Sequence, residues 1–181
     1  MQDLSSFKMD KNFRGRPALV VQLWWLIDSL FFRTSPQVFY GWRNMLLRLF
    51  GAKIGKHVII RPTARITYPW KLEIGDYSWI GDDVVLYSLG RINIGKNSVV
   101  SQKSYLCAGN HDYTKSSFDI FSSPITVEDE VWIATDVFVG PGVTIGKGAV
   151  VGARSSVFKS VEGGNVYAGN PLKMVKKRTE C

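Results

Sequence analysis

The chain is poor in the residues that carry several common kinds of chemistry. Its 181 residues include two cysteines, Cys107 and Cys181, and two histidines, His57 and His111. Two cysteines build no disulfide framework, and with no cleavable leader expected at the N-terminus the chain reads as one for a reducing, cytoplasmic compartment. Two histidines far apart in the chain, with no Cys or Asp at ligand spacing beside them, supply no His₃ zinc site, so no metal is expected. Long apolar runs are also scarce. The run from Ala18 to Phe32 would make a helix of roughly 22 Å against a hydrocarbon core of about 30 Å, and it holds Gln22 and Asp28, so a spanning role is not expected. Positive charge is in excess, with a net +8, but it is confined to the ends. Residues 1–53 carry eight Lys/Arg against three Asp/Glu and residues 171–181 carry four against one, which leaves 54–170 neutral. A neutral middle without an aromatic-interleaved basic motif argues against a nucleic-acid partner. Basic ends suit a membrane surface, a phosphorylated small molecule, or solubility alone.

What is present divides into three stretches, 1–53, 54–162 and 163–181. The first is read as a basic arm followed by two helices. Residues 1–16 are polar and without period, and are expected to be loosely held. Ala18 to Phe32 reads as a helix apolar on most of its circumference. Thr34-Ser35-Pro36 has the form of a helix start, a hydroxyl cap followed by a proline of helical φ. The helix it opens is expected to bury Trp42, Met45, Leu46, Leu49 and Phe50 and to leave Arg43 and Arg48 off that stripe, ending at Gly51. Two uses stay open for this segment. The helices could pack over one end of the following domain, or Trp24, Trp25, Phe31 and Phe32, flanked by Arg14, Arg16 and Arg33, could rest in a membrane interface, a peripheral contact made through residues 1–50.

From Ile54 an aliphatic residue recurs at every sixth position: Ile54, Ile60, Ile66; Ile74, Ile80, Leu86; Ile94, Val100, Leu106; and, after an interruption, Val127, Ile133, Val139, Ile145, Val151, Val157. Small or β-branched residues recur four places after the aliphatic. A period of six would spiral around every face of an α-helix, but it suits short strands folded into a triangular coil with one aliphatic per side pointing to the axis. Glycine after the aliphatic is read as the residue that lets the chain turn each corner. Stacked coils would pair in parallel ladders and share one core, giving an all-β parallel β-helix of about five coils. The elements Leu72-Glu73-Ile74, Ile92-Asn93-Ile94 and Ile125-Thr126-Val127 share one form, and the second spacing exceeds the first by 13 residues. That excess is read as a loop inserted over 112–124, with His111 just before it and still in the regular register, held by the rigid coil.

The hexapeptide pattern, with the run VWIATDVFVGPGVTIGKGAVVGARSSVFKSVEGGNVYAGNPLKMVKKR over Val131 to Arg178, resembles the hexapeptide-repeat acyltransferases, whose β-helix is left-handed. The segments FFRTSPQVFYGWRNMLLRLFGAKIG, GDDVVLYSLG and NHDYTKSSFDI resemble the WcaF-type branch named for colanic acid biosynthesis. The resemblance covers roughly Ile54 to Arg178 and implies an acetyl-CoA-dependent O-acetyltransferase that works as a homotrimer with its sites between subunits. It implies that His111 is the catalytic base, a task that suits a side chain titrating near neutrality. It places Trp132, Thr135 and Ala153 along the pantetheine arm of the cofactor and Lys159, Lys173 and Lys176 at its phosphates, where relatives often carry Arg at the last two.

Departures limit what carries over. The family's usual Trp-Ile-Gly is Trp132-Ile133-Ala134 here, and the asparagine and aspartate that orient the sugar in maltose and galactoside relatives correspond to Gly81 and Leu89. Asp82, Asp83 and Tyr87 are candidates for that role or are corner residues. Asp112 and Tyr113 are candidates to orient His111 or are ordinary loop residues. Cys107 is read as a small space-filling residue, so transfer is expected to be direct rather than through an acyl-enzyme. The expected acceptor is a sugar of a surface or exopolysaccharide precursor, free, nucleotide-linked or lipid-linked, met in the cytoplasm or at the inner face of the membrane. A small non-sugar acceptor and a non-catalytic, membrane-associated scaffold remain the alternatives.

Overall fold

A computed structural model describes residues 2–179. Cys181 lies outside the described residues, and Cys107 is a free thiol. The six-residue period becomes three parallel sheets wrapped into a prism. The first face stacks Lys53–Ile54, Leu72–Ile74, Ile92–Ile94, Ile125–Val127 and Thr144–Ile145. The second stacks Ile59–Ile60, Trp79–Ile80, Val99–Val100, Trp132–Ile133 and Val150–Val151, then continues through Asn165–Ala168 to an antiparallel edge strand, Lys173–Lys177. The third stacks Arg65–Ile66, Val85–Tyr87, Tyr105–Cys107, Phe138–Val139 and Ser156–Val157. Register is in phase throughout: Ile54 lies on Ile74, Ile74 on Ile94, Ile94 on Val127 and Val127 on Ile145. All fifteen periodic aliphatics are buried in one continuous core, the arrangement expected from the repeat.

The corners turn by a different device from the one expected. The residue in left-handed conformation is the one three places after the aliphatic, as at His57, Tyr77, Asp83, Asn97, Lys103, Glu130, Asp136, Gly142, Gly148 and Arg154, with φ between 53° and 79°. Most of these are not glycine, and each such residue costs of order 1 kcal/mol that the stacked ladder offsets. The glycine after the aliphatic serves a close approach between coils. A Cβ on Gly75 would lie 2.7 Å from the carbonyl carbon of Gly95, and one on Gly146 would lie 2.4 Å from the backbone nitrogen of Gly163. Buried serines tie the corners together. Ser78 Oγ donates to Gly95 O at 2.6 Å and accepts from Ser98 N at 3.0 Å, while Ser98 Oγ donates to Glu128 O at 2.8 Å and accepts from Val131 N at 3.1 Å.

A stack of coils has an open end, because each coil donates to carbonyls of the next and the first coil's own carbonyls have no coil before them. Helices α1 (Ala18–Ile27, continued by a π-helical turn over Asp28–Phe32) and α2 (Tyr40–Leu49) close that end. Trp24 Nε1 donates to Ile66 O at 2.9 Å, Arg43 Nε to Ile60 O at 2.7 Å, Asn44 Nδ2 to Val58 O at 2.8 Å and Arg48 Nη2 to Ile54 O at 2.9 Å. Two expectations fail here, the first because the open end needs donors. The face of α2 turned inward carries Arg43, Asn44, Leu46 and Leu47, while Trp42, Met45 and Leu49 are exposed. Thr34 and Ser35 do not start α2; their hydroxyls donate back to Leu30 O and Phe32 O at 2.6 Å each, and α2 begins at Tyr40 without a side-chain cap. Trp24 and Phe32 are fully buried, so they leave the set of residues considered for a membrane interface.

The arm 2–16 is held, contrary to expectation. Trp70 Nε1 donates to Arg14 O at 2.7 Å, and the ammonium of Lys71 donates to Phe13 O at 2.7 Å and to Leu89 O, with the Phe13 and Tyr68 rings beside it. Further along, Asp3 N donates to Ser116 O at 2.7 Å. The arm therefore climbs one corner of the prism from the first coil to the inserted loop.

Candidate active site

That corner, between the third face and the first, carries the insertion. Leaving the third face at Cys107, the chain forms a hairpin, with Gly109–His111 antiparallel to Ile120–Ser122 and His111 opposite Ile120. His111 is thus outside the coil register in which it was expected, carried on a hairpin strand. Leu89, buried at the same corner one coil earlier, forms the floor: a Cβ on Gly109 would lie 2.6 Å from Leu89 Cδ1. The position that departs from the sugar-orienting pattern is therefore a packing position here.

His111 is half-buried, and its Nδ1 lies 2.9 Å from the carbonyl oxygen of Phe118. A carbonyl can only accept, so Nδ1 carries the proton and Nε2 keeps a free lone pair. The imidazole lies flat on the Phe118 ring, with centroids 4.3 Å apart and planes 9° apart, and Phe7 of the arm packs against it at 6.2 Å. Phe118 has a left-handed backbone, φ 50°, which costs strain that a regular turn would not carry. Neither Phe118 nor Phe7 was among the expected partners, and the signal that could have found Phe118 is the register of the hairpin.

The expected orienting residues have other partners. Asp112 Oδ1 accepts from Thr114 N at 3.0 Å and from Thr114 Oγ1 at 2.5 Å, hydrogen bonds that hold its carboxyl below the usual range. Lys115 adds ion pairs to Asp119 at 3.1 Å and to Asp112 at 3.8 Å. Tyr113 is 84% exposed. Tyr87, by contrast, packs near the hairpin with Leu89 and Ile120, and burial together with nearby Cys107 pushes its hydroxyl up. Cys107 Sγ donates to Gly109 O at 3.2 Å.

Four of the remaining candidates, Asp82, Asp83, Thr135 and Ala153, lie at the corner between the second and third faces. Asp82, Thr135 and Ala153 follow Ile80, Ile133 and Val151 by two places each, so they stack in one column. Asp82 pairs with Arg61 at 2.8 Å and accepts from Thr63 Oγ1 at 3.1 Å, and Asp83 is a left-handed corner residue. Thr135 Oγ1 donates to Gln102 O at 3.0 Å. Trp132 stands on the outer side of the second face, 48% exposed, with its Nε1 donating to Ser101 Oγ at 3.0 Å. Register aligns Trp132 with Val150, Val150 with Val166, and Val166 with Lys176. A bulge in the edge strand brings Lys173, opposite Ala168, to the same side as Lys176, although three residues would ordinarily place them on opposite sides. Lys159 is exposed beyond the last strand of the third face, one corner away. Arg178 closes carbonyls of Glu130 and Gly148 at 2.7 and 3.1 Å.

Within one chain, then, the histidine corner and the Trp132–Thr135–Ala153 corner are opposite edges of the third face. Between them the outside of that face carries Tyr87, Tyr105, Phe138 and Phe158 in sequential ring contact. Burial pushes the Tyr105 hydroxyl up to about 12. Among the described residues no group of three His, Cys, Asp or Glu could hold a metal ion.

The six-residue β-helix is shared with solved hexapeptide-repeat acetyltransferases. A maltose O-acetyltransferase from Clostridium difficile 630 superposes with a TM-score of 0.84 at 23% identity, covering 96% of this chain and 99% of that one. A hexapeptide-repeat acetyltransferase from Vibrio cholerae O1 biovar eltor, solved with acetyl coenzyme A, gives 0.82 at 24% identity, covering 98% and 96%. At these identities the likeness shows the fold. The family follows from a WcaF protein of Escherichia coli (strain K12), named for an acetyltransferase of colanic acid biosynthesis, which is 60% identical over 180 residues, 99% of each chain. The chain belongs to this WcaF-type family of acetyltransferases. No protein-family model matches it.

Proposed function

We propose that the chain is an acetyl-CoA-dependent O-acetyltransferase that moves acetyl to a hydroxyl of a sugar in a surface or exopolysaccharide precursor. The observation that carries this reading is the Nδ1 contact of His111 with Phe118 O, which leaves Nε2 as a base. Nε2 takes the acceptor hydroxyl's proton as that oxygen attacks the thioester carbonyl, and returns it to the departing thiolate as the tetrahedral intermediate collapses. Transfer is direct, with ester formed and thiol released. The Thr135 backbone N–H stabilises the oxyanion, Trp132 and Ala153 line the pantetheine path, and the Lys173/Lys176 pair and Lys159 meet the CoA phosphates. Tyr87, Asp112 and Tyr113 lie on the acceptor side with the hairpin, while Asp82 and Asp83 lie on the donor side. Because the two corners sit at opposite edges of one face, the working site joins the histidine corner of one subunit to the donor corner of the next, in a homotrimer. A thioester donor and the free thiol of Cys107 suit the cytoplasm.

Mass spectrometry of oligosaccharides incubated with acetyl-CoA tests the reaction, and the expected outcome is a single added acetyl that His111→Ala abolishes. Turnover that survives the substitution would overturn the mechanism. Mixing His111→Ala subunits with Trp132→Ala subunits tests the shared site: each alone is weak, and mixed trimers regain activity because some interfaces hold neither change.

A further inference from the structure

The two N-terminal helices each turn one side to the open end of the coil and carry an apolar stripe on the other. In α1 the inward side holds Val21 and Trp24, fully buried, while Leu19, Leu23, Leu26 and Leu30 form an outward stripe at spacings of four, three and four. In the segment leading into and through α2 the inward side is Arg43, Asn44, Leu46 and Leu47, and Val38, Trp42, Met45 and Leu49 repeat the same outward spacing. Every one of these eight outward residues is at least 39% exposed. Trp42 Nε1 donates to Phe31 O at 2.9 Å, which joins the two segments into one surface. The ionisable groups of these helices have partners: Asp28 pairs with Arg33 at 3.0 Å, and Arg43 and Arg48 bond the first coil's carbonyls. Carbonyls leave the charges of Arg43 and Arg48 uncompensated, so the apolar surface lies on a cap that is net positive, with Arg48 exposed, in a segment whose 53 residues carry eight cations against three anions.

We infer that this face is a docking surface for an anionic lipid bilayer, with both helices lying in the plane of the headgroups. No helix among the described residues is long and apolar enough to cross a membrane, so the geometry is one of resting on the surface. Charge selects lipid over a second copy of the chain. Joining two such faces would bring two cationic segments together, whereas anionic headgroups neutralise them. Fold stability does not explain the outward stripe, because the coil's open end is already satisfied by side chains of the other side. The catalytic reading plays no part in this inference, and the test separates the two.

The test is flotation of the full-length protein with phosphatidylcholine vesicles and with equal mixtures of phosphatidylcholine and phosphatidylglycerol. The protein floats with the mixed vesicles, and partitioning falls roughly tenfold or more without phosphatidylglycerol. The double variant Leu26→Glu/Met45→Glu, altered only at exposed positions, loses about a hundredfold or more of that partitioning. It keeps the wild-type circular dichroism, oligomer size and acetyl-CoA turnover on a water-soluble acceptor. Failure of wild type to float, or floating that the double variant leaves intact, overturns the proposal. It is equally overturned if wild type forms a larger assembly without lipid that the double variant dissolves, since the face would then bind protein.

Discussion

The coils and the corner hairpin are built by opposite rules. In the inner coils each inward position is repeated by the residue above and below it, so Leu106 has Leu86 and Val139 as register partners and the structure is determined many times over. In the hairpin nothing repeats. His111 is positioned by one carbonyl, two rings and a strand pair, each supplied by a different part of the chain. Redundancy makes the scaffold tolerant and the site fragile, and the difference can be measured by attacking each with a comparable change.

The largest contrast is expected from shortening the hairpin. Replacing residues 112–119 by Asn-Gly keeps the pairing of His111 with Ile120 but removes Phe118. Activity falls about a hundredfold or more, from a base no longer oriented, while the melting temperature stays near wild type. The converse is Leu106→Ala, a cavity in the middle of the stack, which costs about 2–5 kcal/mol in denaturant unfolding and leaves the specific activity of folded protein largely unchanged. Next comes the open end of the coil. Arg43→Ala strips the donor from Ile60 O and from the turn at Ser35 to Gln37, and a loss of about 2–3 kcal/mol is expected, which Arg43→Lys restores only in part. Smaller still is Phe7→Ala, expected to lower kcat several-fold without shifting the melting temperature. A pH titration separates the third face from the hairpin. Tyr105 has its folded pKa raised to about 12 from an ordinary 10.0, so its neutral form contributes stability that is complete below 10 and is lost as pH rises through 12. Unfolding monitored from pH 9 to 12, with Tyr105→Phe as control, reads that contribution.

Much of the scaffold was legible because a period of six has few physical solutions. The positions of all fifteen core aliphatics, the number of coils and the corner that carries the excursion could be counted along the chain, but the hairpin opens at Gly109, three residues before the counted start, and takes His111 with it. Local preference alone pointed the wrong way at two places. Glycine after each aliphatic looked like a turning residue, yet the turn falls two residues later and the glycine answers a neighbouring coil's backbone. Trp42, Met45 and Leu49 looked like a buried stripe by apolarity alone. Open carbonyls on the first coil made donors the better inward residues, and so Arg43 and Asn44 face in.

The candidate site divides in the same way. His111 could be singled out from the chemistry of its side chain and from family resemblance, since both belong to the residue and its neighbours in the chain. Its support could not. Phe118 reaches it through a left-handed backbone at the far side of a hairpin, and Phe7 arrives from an arm more than a hundred residues away that is fastened at Trp70 and Lys71. A repeat writes its own contacts into the sequence, because residues six apart and one coil apart share an environment. Single contacts between unlike segments leave no period to read, and here they decide which nitrogen of His111 bears the proton and which face of the N-terminal helices is left for a partner.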